Sequence, residues 1–316
     1  MTKHDEARRA GWVHHPQVAV AGPLDVSMQV PVPVTAGGPP LILHLVFTDD
    51  GLYVPAVSRQ PPGAGPFPTV IAIHGGSGGL GIPYLVDHVA NQGWLLDALL
   101  ARGFAVVFAE GRCEIEDAYD SPPAGIDTRG VLDHNDMITL FRFVCRQSWV
   151  DADRVGFFGV SHGGEMQMKL VSELGKDPDS AMPAALAMCE PAIIELLGLE
   201  YQGVRKEANL QFHGPISDSQ IDLERAMERI ARIPRKLPML VVGRDEDHLQ
   251  GPFMKLHELL GRAGKRVEWA SFSHPAHAYQ FGPRRNRDGY EPDATTSATF
   301  AHVLGFLERH LAPPRP

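Results

Sequence analysis

The chain is short of cysteine, of basic charge and of long apolar runs, and each shortage closes off a class of function. Its three cysteines, Cys113, Cys145 and Cys189, are odd in number and lack C-x-x-C spacing. That argues against a disulfide framework and fits reduced, mostly buried thiols in a cytoplasmic protein. Lys and Arg number 29 against 38 Asp and Glu, a formal net charge of −9. Nucleic acid and anionic membrane both ask for a basic surface, so neither is expected as a partner, and the charge reads as solubility. No stretch approaches the apolar length that spans a bilayer. Met1 to Gly11 is polar, without the apolar centre of a secretory signal. Histidines are plentiful at 15, yet no H-E-x-x-H pair or Cys/His zinc spacing occurs, so no metal is expected.

What is present is an ordinary globular composition, 44% hydrophobic over 316 residues, enough for one large α/β domain or two small ones. Residues 1–60 are rich in proline and in short β-type runs: Val18 to Val20, Val30 to Val34, Leu41 to Phe47 and Leu52 to Val57. They predict an antiparallel β extension packed on the core. From 61 to 316 the pattern alternates. Apolar runs at Thr69 to Ile73, Phe104 to Ala109, Ala184 to Cys189, Leu237 to Val242 and Val267 to Phe272 read as strands. Helical spacing marks Leu85 to Arg102, Asp133 to Arg146, Glu165 to Leu174, Phe253 to Arg262 and Ala298 to Leu311. Continuous apolar strands between amphipathic helices imply a doubly wound, mostly parallel sheet with helices on both faces. Residues 191–236 exceed a simple crossover. They read as a small helical cap with helices near Ile193 to Leu199 and Ile221 to Ile233, or as a crossover helix with a long loop.

The chemistry centres on Gly159-Val160-Ser161-His162-Gly163-Gly164. This G-x-S-x-G-G lies between the apolar run ending at Phe158 and a helix-like segment, the strand–turn–helix setting of a nucleophile elbow. A serine hydroxyl is a weak nucleophile at neutral pH and needs a base, which in turn needs an orienting acid. Acids follow the strand Leu237 to Val242 in the loop Gly243-Arg244-Asp245-Glu246-Asp247-His248. Counting back from the following helix favours Asp247; counting from Gly243 favours Glu246, and Asp245 comes third. After the last strand, His277 sits between small residues in Pro275-Ala276-His277-Ala278, and His274 lies nearer the strand. His277 is the expected base. An oxyanion needs preorganised N–H donors. The amide of His162 is one, and Gly75 or Gly76 of His74-Gly75-Gly76-Ser77-Gly78-Gly79 is the other.

In this order, H-G-G, G-x-S-x-G-G, acid loop and late histidine, the chain resembles the α/β-hydrolase superfamily. It is most similar to the branch of dienelactone hydrolase-like esterases and prolyl-oligopeptidase-like enzymes. Gly65 to Gly76 is similar to their lead-in to the oxyanion loop, and Trp149 to Gly156 to their approach to the elbow. The resemblance covers roughly residues 50 to 311. It departs where dienelactone hydrolases carry cysteine and this chain carries Ser161. With about 60 residues ahead of its core in this sequence, the propeller of prolyl oligopeptidases is not expected.

The expectation is a cytoplasmic serine hydrolase without cofactor. Ser161, His277 and Asp247 would form its triad, and its partner would be a small-molecule ester. A small serine peptidase using the same triad is the alternative; it would need a carboxylate for the substrate amine, for which Glu110, Glu165 and Glu190 lie near element ends. A hydrolase fold kept as a receptor is the third reading. Acyl specificity and oligomeric state are not encoded in these motifs.

Overall fold

The computed structural model describes residues 25–30, 40–49, 51–76, 81–92, 94–112, 132–199, 212–281 and 292–312. The predicted strand Val18 to Val20, the thiol of Cys113 and the glycine-loop residues 77–80 lie outside them. The chain divides into two compact units. The first comprises Met1–Ala72, Gly76–Ala152 and Arg284–Tyr290, and the second Ile73–Gly75, Asp153–Pro283 and Glu291–Pro316.

In the first unit, β1 (Val26–Val30), β2 (Leu41–Phe47), β3 (Tyr53–Arg59), β4 (Phe67–Ile73) and β5 (Ala105–Ala109) run in the order β1-β2-β3-β5-β4. The pairs β1–β2, β2–β3 and β3–β5 are antiparallel. The early strands continue directly into β5, with Val57 opposite Phe108. β4 and β5 are buried almost throughout, which is why they lack polar alternation. The single helix expected over Leu85 to Arg102 is instead α1 (Gly81–Asp87), a π-helical turn (His88–Gln92) and α2 (Trp94–Ala101). α3 (Asp133–Cys145) buries Asp136, whose carboxylate takes Arg112 Nη2 at 2.6 Å and Arg112 N at 2.7 Å. Burial pushes that carboxyl up to about 6 despite the guanidinium beside it.

The second unit is a wholly parallel sheet, β6 (Val150–Val160), β7 (Ala185–Cys189), β8 (Met239–Arg244) and β9 (Val267–Phe272), in that order. Every residue of β7 and β8 is buried, whereas β9 alternates as an edge strand does. Its helices are α4 (His162–Leu174), α5 (Leu223–Arg232), α6 (Gln250–Arg262) and α7 (Ala294–Leu311). α4 buries even its polar Glu165, Gln167 and Lys169. Of the cap prediction, α5 is present with Asp222 as its N-cap, accepting from Arg225 N. The patch Ile193 to Leu199 is not a helix but a turn: Leu199 N donates to Ile194 O and Gly198 stands at φ 68°. Positive φ at Gly198 ends any helical path there. Residues 200–211 of the region lie outside the described chain. No described helix is long and apolar enough to cross a membrane.

Candidate active site

Strand register brings four chain segments to one edge. Val160 lies opposite Cys189, Cys189 opposite Val242, and Arg244 opposite Phe272. The residues that follow each strand are therefore neighbours at the carboxyl edge, where open α/β sheets place ligands. Among the described residues, four non-glycine residues have positive φ: Ser161 (54°), Glu190 (46°), Glu246 (59°) and Ala278 (60°). One follows each of β6, β7, β8 and β9. Such a conformation costs on the order of 1–3 kcal/mol and persists only where surrounding structure enforces it.

At Ser161 the enforcement is visible. Its N–H donates to Cys189 O at 2.9 Å, and its carbonyl accepts from Gly164 N and Ala192 N, both at 2.9 Å. The elbow glycines leave no room for a side chain. A Cβ on Gly163 would stand 2.4 Å from Ile73 O, one on Gly159 2.5 Å from Gly163 O, and one on Gly164 2.6 Å from Pro191 Cβ. Gly163→Ala forces backbone apart and is expected to lower the melting temperature by about 5–10 °C; a thermal melt by circular dichroism checks it. Gly75 closes on the serine from the other side. A Cβ there would lie 2.9 Å from Ser161 Cβ and 3.5 Å from its Oγ. Gly76, the other expected donor, is exposed. His162 opens α4, and the first-turn amides of a helix point outward toward whatever precedes it.

The acid loop resolves sharply. Asp247 is fully buried, whereas Asp245 and Glu246 are exposed. Asp247 Oδ2 lies 2.9 Å from His277 Nδ1 and accepts from Arg244 Nε at 2.8 Å, while Oδ1 accepts from Leu249 N at 2.7 Å. Asp245 instead accepts from Ser271 Oγ at 2.7 Å. His274 is turned away from this group: it reaches Asp293 at 3.1 Å and stacks on Tyr279 at 4.1 Å. Burial alone would raise the Asp247 carboxyl. Its hydrogen bond and charge contact with His277, the Leu249 amide and the Arg244 guanidinium together hold it near 2.

Three contributors were not foreseen in these roles. Glu190 is fully buried, and its Oε2 lies 2.8 Å from His277 Nδ1. Arg244 donates to Asp247 and, through Nη1, to His274 O at 2.9 Å, tying the acid loop to the histidine loop. His248 packs its ring edge-on against His277, with centroids 4.6 Å apart. Glu190 had a legible signal, since it directly follows a strand beside the elbow; Arg244 and His248 had none beyond sharing the acid loop. Burial lowers His277, but the hydrogen bonds and charges of Asp247 and Glu190 outweigh it and push the imidazole up to about 9. The groups facing this ring are Glu190, Asp247 and His248, with Arg244 behind Asp247. A general base acts only when unprotonated. If His277 serves as the base for Ser161, kcat/KM rises about tenfold per pH unit through neutrality and levels near pH 9; a limb near pH 7 contradicts that role.

One oxygen of Asp247 and one ring nitrogen each of His248 and His277 fall within 4.8 Å of one another, close enough for a metal ion. Both Asp247 oxygens already accept N–H bonds, one from a guanidinium. That fixed positive charge opposes a cation, so the cluster fits an acid–base pair better than a metal centre.

Of the carboxylates that could hold a substrate amine, Glu110 and Glu190 accept hydrogen bonds and Glu165 is half satisfied. Glu110 accepts from Gly81 N at 3.1 Å. Glu190 accepts from Ala278 N at 2.8 Å and Gln280 Nε2 at 2.6 Å. Glu165 is buried, with Oε1 taking Leu196 N at 3.0 Å; its Oε2 has no hydrogen-bond partner and lies 3.7 Å from His162 Nδ1.

Residues 90–181 match the prolyl oligopeptidase family. Over 135 residues the chain is 27% identical to a probable dipeptidyl-aminopeptidase B from Aspergillus terreus (strain NIH 2624 / FGSC A1156), a segment covering 40% of this chain and 14% of that protein. Among solved structures, the acetyl xylan esterase from Paenibacillus sp. R4 aligns over 98% of this chain and 93% of its own, with TM-score 0.58 and 18% identity. The acylaminoacyl peptidase of Pyrococcus horikoshii aligns over 89% of this chain and 44% of its own, with TM-score 0.60 and 14% identity. At such identities the likeness is one of fold: an open, mostly parallel sheet with helices, shared by esterases and peptidases alike.

Proposed function

We propose that this chain, an α/β-hydrolase-superfamily protein with a prolyl-oligopeptidase-like segment, is a serine hydrolase that cleaves carboxylic esters. The observation that carries the reading is two close pairs at the ends of neighbouring parallel strands, Ser161 with Gly75 and Asp247 with His277. Ser161 is held at φ 54° with Gly75 pressed against it, and buried Asp247 lies 2.9 Å from His277 Nδ1. In the proposed reaction Ser161 Oγ attacks the ester carbonyl and its proton passes to Nε2 of His277. The amides of His162 and Gly75 receive the oxyanion. His277 returns the proton to the leaving alcohol, and an acyl-enzyme remains. Water, deprotonated by the same imidazole, attacks the acyl carbon; the acid leaves and Ser161 is restored. No step calls for a cofactor.

Support for an ester over an aminoacyl substrate comes from the carboxylates. A peptidase that recognises a free amine needs an accessible acid, and Glu110, Glu165 and Glu190 are each engaged and buried. The half-satisfied Glu165 beside His162 is what favours the peptidase reading, together with the peptidases among the relatives. A reducing, cytoplasmic setting belongs to the same proposal, since Cys145 and Cys189 are free thiols. The test is hydrolysis of p-nitrophenyl esters from acetate to palmitate beside aminoacyl-naphthylamides. Serine-dependent ester turnover supports the proposal, and its chain-length profile sizes the acyl pocket. Naphthylamide turnover without ester turnover replaces it with the peptidase.

A further inference from the structure

A triad usually gives its histidine one acid, and here the ring has two. His277 Nδ1 lies 2.8 Å from Glu190 Oε2 and 2.9 Å from Asp247 Oδ2. We propose that Glu190 is a second positioning carboxylate, sharing the Nδ1–H of His277 with Asp247, so that in the neutral ring either acid alone holds the proton on Nδ1 and leaves Nε2 as the basic nitrogen. The proposal rests on the serine-hydrolase reading, and it deepens that reading by making the acid of the site redundant.

Glu190 is built for this contact. It is fully buried, and its backbone stands at φ 46° with its N–H bonded to Val242 O at 2.7 Å. Its oxygens gather donors from the turn that carries the base: Ala278 N on Oε2 and Gln280 Nε2 on Oε1. These are neutral donors. Asp247, by contrast, faces the Arg244 guanidinium, with Nε and Nη2 each 2.8 Å from Oδ2. The charge of Asp247 is largely offset by that arginine, whereas among the described residues the ion pair of Glu190 is with the ring itself. A buried carboxylate is tolerated when a charge and hydrogen bonds compensate it. An imidazolium that forms during acyl transfer compensates Glu190, and Glu190 stabilises it in return. The proton balance is simple. The serine proton moves to Nε2 and later to the leaving group; the Nδ1 proton stays on the ring, and neither acid takes it.

Where a triad has one acid, its Asp→Asn change presents an amide N–H to Nδ1, favours the wrong tautomer and lowers kcat by about 10⁴. Here Glu190 continues to accept Nδ1–H after Asp247→Asn. Asp247→Asn and Glu190→Gln are therefore each expected to lower kcat on p-nitrophenyl acetate by only about 10- to 100-fold with KM little changed, and the double variant by about 10⁴ or more. Each single change also moves the acid limb of the pH profile toward neutrality. A 10⁴-fold loss from Asp247→Asn alone, with Glu190 intact, overturns the proposal. So does a Glu190→Gln enzyme that loses melting temperature and kcat while its acid limb stays in place, which is the signature of a merely structural glutamate.

Ser161→Ala measured alongside separates the two levels. If that variant turns over esters as wild type does, the hydrolase reading has failed. The contact is then tested without activity, by NMR titration of the His277 ring in ¹³C-histidine-labelled protein. A ring pKa lowered by Glu190→Gln supports the shared acid, and an unmoved one overturns it.

Discussion

Ser161→Ala abolishes serine-dependent ester turnover while the protein melts where the wild type does. The expected loss in kcat is on the order of 10⁶, since a triad without its nucleophile retains only what binding and the oxyanion donors supply. Stability is unaffected because the elbow is held by its backbone. The N–H to Cys189 O and the carbonyl contacts to Gly164 N and Ala192 N do not involve Oγ. The alanine methyl occupies the Cβ position already pressed against Gly75. Ser161→Gly is expected to melt slightly higher, because φ 54° strains any residue with a Cβ and glycine adopts it freely. Steady-state assays with p-nitrophenyl acetate, labelling by a fluorophosphonate and a thermal melt read the three effects. Comparable turnover by wild type and Ser161→Ala removes the serine from the mechanism.

The second large effect separates two histidines three residues apart. His277→Ala is expected to lower kcat/KM by about 10⁵ or more, and His274→Ala by less than about tenfold. Only His277 meets the two buried carboxylates, at 2.8 and 2.9 Å. His274 is committed to Asp293 and to the face of Tyr279. Removing His277 also strands buried Glu190 without the cation that relieves it, whereas Asp247 keeps Arg244. Part of the loss therefore appears as lowered stability, and the rate of Ser161 phosphonylation by a fluorophosphonate, which expels fluoride, isolates the chemical part. Equal losses from the two substitutions would move the base to His274 and break the link to Asp247.

The elbow was legible because its demands are local. A tight turn at positive φ, a helix start and close backbone approach all write themselves as glycines around one serine. The strands β5, β7 and β8 were legible for a similar reason, since burial on both faces leaves continuous apolar runs. Counting back from the following helix favours Asp247 among three neighbouring acids, and that residue, alone of the three, lies buried against His277. The turn at Ile193 to Leu199 misled because its apolar spacing is helical, while the positive φ of Gly198 and its packing against Asp222 are not visible in a pattern.

By itself the sequence determined the α/β alternation, the antiparallel start, the strand–turn–helix at Ser161 and the late histidine loop. Each follows from periodicity or from backbone sterics acting over a few residues. The tertiary structure decided which carboxylates meet His277 and which face water. Parallel register sets Cys189 beside both Val160 and Val242, and so delivers Glu190 to a ring 87 positions further along the chain. A side chain's partner across strand ends depends on register and on strand order, and neither leaves a trace in local sequence.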